Sequence, residues 1–335
     1  MRKAIKMSNH EITLIFTRFH LSLIILCNLV VPIFFFSLAI AEEGDYFLKA
    51  GKVEMEKTPE GRVSLLKGGV TIHHEGAIIT GNEGKVYEEE ERALLRGEVR
   101  VEEKETLLKG EEGEYFRKKE LAILKGKVEM INGEMTIRSD TLYYFRKNQH
   151  TEVCGNVELW DGKNEIRVKG REGWHDFLSN QSGMTKDPVL TTSGEKKGIR
   201  VTAERMLILR GEDAAFAIGD VKVFQEEVEI TCDSLFYSLK EERAILLGNP
   251  ILRESGDEIR GDVATLTFQN RELVDAILKG NAKGFTHPKK GERNEIEGEE
   301  IRISFENGEA EKITIEGSAK GRYTKANQES GSRKQ

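Results

Sequence analysis

Four glycines, Gly68, Gly97, Gly126 and Gly155, follow one another at intervals of 29 residues. The interval returns between Gly219 and Gly248, and Gly280 and Gly317 continue the series at wider spacing. Other columns keep step with them. Eleven residues after a marker comes an aliphatic residue: Ile79, Leu108, Ile137, Ile166, Ile230 and Ile259. Nineteen residues after the first four comes an aromatic one: Tyr87, Phe116, Phe145 and Trp174. Two residues after come Val70, Val99, Val128, Val157 and Val221, until Pro250 breaks the column. Several columns in phase at this period mark a chain built from stacked copies of one small unit, a solenoid-like array in which each unit buries its apolar face against its neighbours.

The unit is made of strands. Around Gly97, the residues Ala93, Leu95, Val99 and Val101 alternate with Arg92, Arg96, Arg100 and Glu102. The next copy alternates Ala122, Leu124, Val128 and Met130 with Lys125, Lys127 and Glu129. A period of two with one dry side is a half-buried strand. A polar turn such as 102–105 or 132–134 leads into a second strand, through Leu108 or Ile137, that runs toward the aromatic column. The reading is all-β, with two strands per repeat of about 29 residues. No helical period of useful length follows Ala41. A glycine on the dry side of a strand packs nothing and weakens it, so its recurrence predicts a bend or close approach in every unit. A crease of that kind also leaves room for an apolar guest.

The period divides the chain. Residues 45–177 form a first run of repeats and 201–320 a second run or its continuation. Between them, 178–200 is rich in Ser, Thr and Gly and is expected as a loop from Leu178 to Asp187 followed by an irregular rung. A second insertion spans 286–293, and 321–335 reads as a disordered polar tail. At the other end, Arg2, Lys3, Lys6 and Arg18 precede an apolar run from Leu21 to Ala41 that closes on small residues. That is the form of an export signal, and the run is also long enough for an uncleaved membrane anchor. Either way the repeats are expected outside the cytoplasm.

Charge and reactive residues exclude several functions. The net charge is -7, and without the four bases and one acid of residues 1–41 there remain 47 bases against 57 acids. Nucleic acid is therefore not an expected partner, since phosphate binding needs a basic track. Cys154 and Cys232 fall in different columns and read as packing residues rather than as a disulfide. His73 and His74 are adjacent, so a strand points them to opposite faces and away from a shared metal. Asn82, Asp140, Asp233 and Asp262 recur in phase, as bend residues do. No nucleophile elbow, phosphate loop or paired-cysteine motif is present. The reading is a non-enzymatic chain without cofactor or metal. Trp160 and Trp174 are too few and too far apart in column to make a polysaccharide-binding row.

The segments LLKGGVTIHHEGAIITGNEGKVYEEEERALLRGEVRVEE, LLKGEEGEYFRKKELAILKGKVEM and CDSLFYSLKEERAILLGNPIL, taken as an ordered series, resemble the OstA-like proteins of lipopolysaccharide transport. That family includes LptA, the soluble part of LptC and the periplasmic domain of LptD. The resemblance spans roughly 45–320. It implies an elongated, twisted β-jellyroll, V-shaped in section, in the periplasm. It also implies a groove holding the acyl chains of lipopolysaccharide, and edge-to-edge strand pairing with LptC-like and LptD-like modules or head to tail with a second copy. The expected groove wall is Leu95, Val99, Leu108, Phe116, Leu124, Val128, Ile137, Phe145, Val157 and Ile166. Lys52–Met55 and residues 313–319 are the expected pairing edges. A membrane-anchored LptC-like component and a purely structural solenoid of the envelope are the alternatives.

Overall fold

The computed structural model describes residues 46–324 except 60, 75, 193–197, 271, 288–291 and 307–308; the N-terminal apolar run and the last residues of the tail lie outside that range. Within it, 23 strands join in one hydrogen-bonded antiparallel array. The first nine are β1 (Tyr46–Thr58), β2 (Gly61–His74), β3 (Ala77–Tyr87), β4 (Arg92–Glu103), β5 (Thr106–Phe116), β6 (Leu121–Asn132), β7 (Met135–Phe145), β8 (His150–Asp161) and β9 (Ile166–Asp176). Each pairs with the next, so the sheet grows by one strand at every turn. Two three-residue 3-10 turns, Arg117–Lys119 and Arg146–Asn148, are the helical pieces among the described residues.

The array does not stop at the irregular segment. β9 pairs with both β10 (Gln181–Thr185) and β11 (Val189–Thr192), two halves of one interrupted strand. These pair in turn with β13 (Arg205–Leu209) and β12 (Arg200–Thr202), which both pair with β14 (Ala214–Gln225). The expected loop over 178–187 is thus corrected: Gln181–Thr185 is a strand, because Met184 enters the core opposite Gly173 and Met206 while Ser182 is buried opposite His175. Beyond β14 come β15 (Val228–Ser238), the interrupted pairs β16 (Arg243–Leu247) with β17 (Ile251–Glu254) and β18 (Asp257–Arg260) with β19 (Val263–Gln269), then β20 (Glu272–Thr286) and β21 (Arg293–Glu306). β22 (Glu309–Glu316) and β23 (Lys320–Thr324) both pair with β21, so strand structure extends four residues into the segment expected as a tail.

Each of the pairings from β1 to β9 is creased near its middle. In β4 the register slips between Arg96 and Val99, so Gly97 and Glu98 face the single residue Glu111; in β6, Gly126 and Lys127 face Asp140 in the same way. These are β-bulges, which sharpen local twist and bend the sheet. Both residues of the bulge have positive φ, +77° at Gly126 and +47° at Lys127. Glycine takes that conformation without the strain a Cβ brings. The missing side chain of Gly126 faces Glu111 across the strands, and that of Gly155 faces Asp140. The markers therefore turn toward the wet face, not the dry one, because the bulge interrupts the alternation at that residue. Where a strand is broken in two, the break falls on the same line, as at Lys186 and Asp187 or at Asn249 before Pro250.

The crease folds the sheet back on itself. Glu103 ends β4 at one edge of the array, and Arg146 follows β7 at the opposite edge. A flat strand of the 11 residues of β7 would separate those edges by about 35 Å. Yet Arg146 Nη2 lies 3.2 Å from Glu103 Oε1. Asp161 and Arg210, likewise from opposite edges, meet at 3.2 Å, and Thr151 Oγ1 reaches Met130 Sδ at 3.9 Å. The two halves face each other across a shared interior. Along the second edge the turns bind one another: the amide of Arg117 donates to Glu91 O, Arg146 to Glu120 O, Phe177 to Gln149 O and Arg210 to Asn180 O, at 2.9 to 3.2 Å.

Candidate apolar groove

The interior is not uniformly filled. A large buried cluster runs from Leu108 and Leu124 through Met130, Ile137 and Leu246 to Ile301. A separate small cluster, Leu66, Val70, Ile72, Leu95 and Val99, occupies the first rungs. Where the two approach lies a cavity of about 250 Å³, walled on one half by Ile72, Ile79, Val99 and Val101 and, from the facing half, by Val86, Ala93, Leu95, Tyr115, Ala122, Leu124 and Tyr144. Its rim carries Glu88, Glu91, Arg92, Glu114 and Arg117. The lining is apolar and the rim charged with both signs, a combination suited to a guest with an apolar body and a polar head.

Of the ten residues expected to line a groove, Leu95, Val99 and Leu124 are cavity walls. Leu108, Val128, Ile137 and Val157 are buried in the large cluster and Ile166 packs against it. Phe116 and Phe145 are not among the walls: the Lys119 ammonium lies 5.5 Å from the Phe116 ring centre, and the Phe145 ring packs on His150 at 6.2 Å. The neighbours Tyr115 and Tyr144 take the interior places. The bulge opposite Glu111 is the reason. Leu95 pairs with Gly113 and Val99 with Gly110, five residues on one strand against four on the other. Alternation on β5 therefore slips by one residue, and the inward set is Leu108, Gly110, Gly113 and Tyr115. The charged pair Glu112 and Glu114 was the visible signal of that slip.

The far end of the cavity is polar. Arg146 donates from Nε and Nη2 to Glu103 Oε1, both at 3.2 Å, and the Tyr144 hydroxyl also bonds to Glu103. Burial, with the Glu103 charge added, pushes the Tyr144 phenol up to about 12, so it stays a neutral donor. Past this group a second, polar cavity of about 620 Å³ opens between the edges, with Asn132, Gln149, Asn164 and Asn180 on its walls. Arg210 on its wall is held by Asp161, whose carboxylate accepts from Arg210 Nη2 at 3.3 Å, Asn164 Nδ2 at 3.1 Å and the Lys163 amide at 3.1 Å. Beneath it, buried His175 shares a 2.9 Å hydrogen bond with Ser182. Its ring meets Phe177 edge-on at 4.6 Å, and burial holds its pKa down at about 4. His74, on the dry face, lies 5.9 Å from the Tyr115 ring, while His73 packs outside against Phe47 with the rings tilted at 54°. Cys154 and Cys232 are free thiols. Among the described residues no three His, Cys, Asp or Glu side chains gather as a metal site.

Two family models match overlapping parts of the chain: one for OstA-like proteins over residues 45–174, the other for the LptA and LptD N-terminal domain of lipopolysaccharide transport proteins over residues 114–272. This chain belongs to the OstA-like, LptA-type lipopolysaccharide transport family. Among solved structures, the OstA-like chain is similar to LptH, the LptA-homologous periplasmic component of the lipopolysaccharide transport device of Pseudomonas aeruginosa. That likeness has 13% identity and a TM-score of 0.29, and covers 31% of this chain and 75% of that one. A comparison with curated protein sequences gave no match.

Proposed function

We propose that this protein is a periplasmic, non-enzymatic component of lipopolysaccharide transport that shields acyl chains in the apolar cavity of its first rungs while the sugars stay outside. One observation carries the reading: between the two buried clusters lies an apolar cavity of about 250 Å³ where Val99 and Val101 face Leu95, Tyr115 and Tyr144. Each methylene moved from water into such a space contributes about 0.8 kcal/mol, so a few acyl carbons give useful affinity. In this reading the folded-back array is the V-shaped jellyroll of the family, with the 29-residue repeat as its unit and the crease as its hinge line. Residues 45–177 and 201–320 then act as one continuous conduit across 178–200.

The same reading gives the ends their role. Among the described residues β1 pairs with β2 alone and exposes Phe47, Val53 and Met55, and at the other end β22 and β23 pair with β21 and expose Ile313 and Tyr323. Open strand edges with apolar side chains are ready to be extended by another sheet. They fit LptC-like and LptD-like modules or a second copy, head to tail.

The test is displacement of a fluorescent fatty acid from the purified protein by purified lipopolysaccharide. Competition by lipopolysaccharide, lost when Ala93→Phe fills the cavity, is the expected outcome. Equal binding by the filled variant places the lipid elsewhere and overturns the reading.

A further inference from the structure

The apolar cavity and the polar cavity share one wall. Glu103, Tyr144 and Arg146 line both, and no other residue does. Arg146 crosses from one edge of the folded sheet to Glu103 on the other, and its partner is equally secluded: each side chain is 17% exposed. Tyr144 holds Glu103 from the second side and leans its ring on Phe177, centroids 6.0 Å apart, at 73°. One rung further along, where Asn132 and Phe177 stand at the equivalent places, no ion pair joins the edges and the polar cavity lies between them; two rungs along, Asp161 and Arg210 join them again. The partition is therefore a specific side-chain structure, not a general consequence of the fold.

We propose that Glu103, Arg146 and Tyr144 form an end stop that sets the length of apolar chain the first rungs accept. This rests on the cavity being the acyl site. A chain lying between Val99 on one half and Leu95 and Tyr115 on the other gains from each methylene until its tip meets the stop. Beyond it, an apolar tip would displace a buried ion pair and enter a compartment walled by amides and charges, which costs more than it returns. The stop thus works as a specificity-determining group: it does not grip the polar head but limits the tail.

The experiment measures the affinity of the full-length protein for saturated fatty acids of increasing length. For the native chain, affinity should rise about fourfold per methylene and then level off at a break point. Removing both charges together, Glu103→Ala with Arg146→Ala, leaves no orphaned buried ion and should move the break point to longer chains while short-chain affinity is unchanged. Tyr144→Ala opens the same wall from the ring side and should also move the break point to longer chains, with some short-chain affinity lost along with the ring. The exchanged pair, Glu103→Arg with Arg146→Glu, should restore the native break point, which a merely structural role would not require. A break point that stays put in both opened variants, with short chains still bound, overturns the stop alone. A native protein that binds no fatty acid of any length overturns the acyl reading itself.

Discussion

The Asp140 carboxylate fills the space that a side chain on Gly155 would occupy, and it accepts a hydrogen bond from Asn156 Nδ2 at 2.8 Å. The pair recurs down the crease: Glu111 faces Gly126, Asp233 faces Gly248, and Asp262 faces Gly280 while accepting from Asn281. Each bulge is locked by the residue opposite it. Gly155→Ala brings both the strain of φ +77° and a collision with Asp140, so it should destabilise by about 1–3 kcal/mol. Adding Asp140→Ala should relieve the collision but not the strain. Urea denaturation of the single and double variants separates the two.

Asp161 and Arg210 should behave as a stability pair. The Asp161 side chain is 2% exposed and accepts from two groups, the Lys163 amide and Asn164 Nδ2, besides its ion-pair contact. Arg210→Ala leaves that carboxylate buried without its cation and should cost about 3–5 kcal/mol. Removing both residues should cost less than removing Arg210 alone, which thermal unfolding of the set will read.

His175 gives the protein a pH dependence of defined sign. Its pKa is held at about 4 against the ordinary 6.5, mainly by burial and then by the nearby Arg210 charge. Below pH 6.5 the unfolded chain binds a proton that the folded chain refuses, so stability is full above that value and falls as pH drops toward 4. The loss is of the order of 3 kcal/mol. Unfolding followed across that range should show the slope, and His175→Gln should flatten it. The carboxylates whose pKa values are lowered, such as Glu129 held by Lys109, lose their share at lower pH.

The exposed edges predict association. Ile313 is 48% exposed and Met55 63%. If the two ends pair between copies, Ile313→Asp or Met55→Asp should each weaken concentration-dependent assembly by tenfold or so, about 1.4 kcal/mol, in sedimentation equilibrium. Identical assembly of all three proteins would exclude these edges.

Much of this architecture was legible because its unit repeats. The strand alternation placed Leu95, Val99, Leu124 and Val128 inward, where they lie, and the glycine column marked where each strand bends. The facing of the aromatic column was not legible from simple alternation. A bulge adds one residue to one strand, and everything beyond it on the partner changes side, so Tyr115 replaces Phe116 and Tyr144 replaces Phe145. The continuation through 181–185 was also hidden, since Lys186 and Asp187 stand at the crease in place of a marker glycine, with Arg171 3.5 Å from Asp187 where other rungs carry an acid. The link between Glu103 and Arg146, 43 positions apart, depends on how far the sheet folds back, which no local pattern encodes.

The most direct test of the account is photocrosslinking in cells that make lipopolysaccharide. A photoreactive residue at Leu95 or Tyr115 faces the cavity, and one at Lys127, 88% exposed, faces solvent. Lipopolysaccharide adducts at the two interior positions and none at Lys127 are the predicted result. Folded protein that gives no adduct at either interior position would contradict the conduit and leave a sealed structural array in its place.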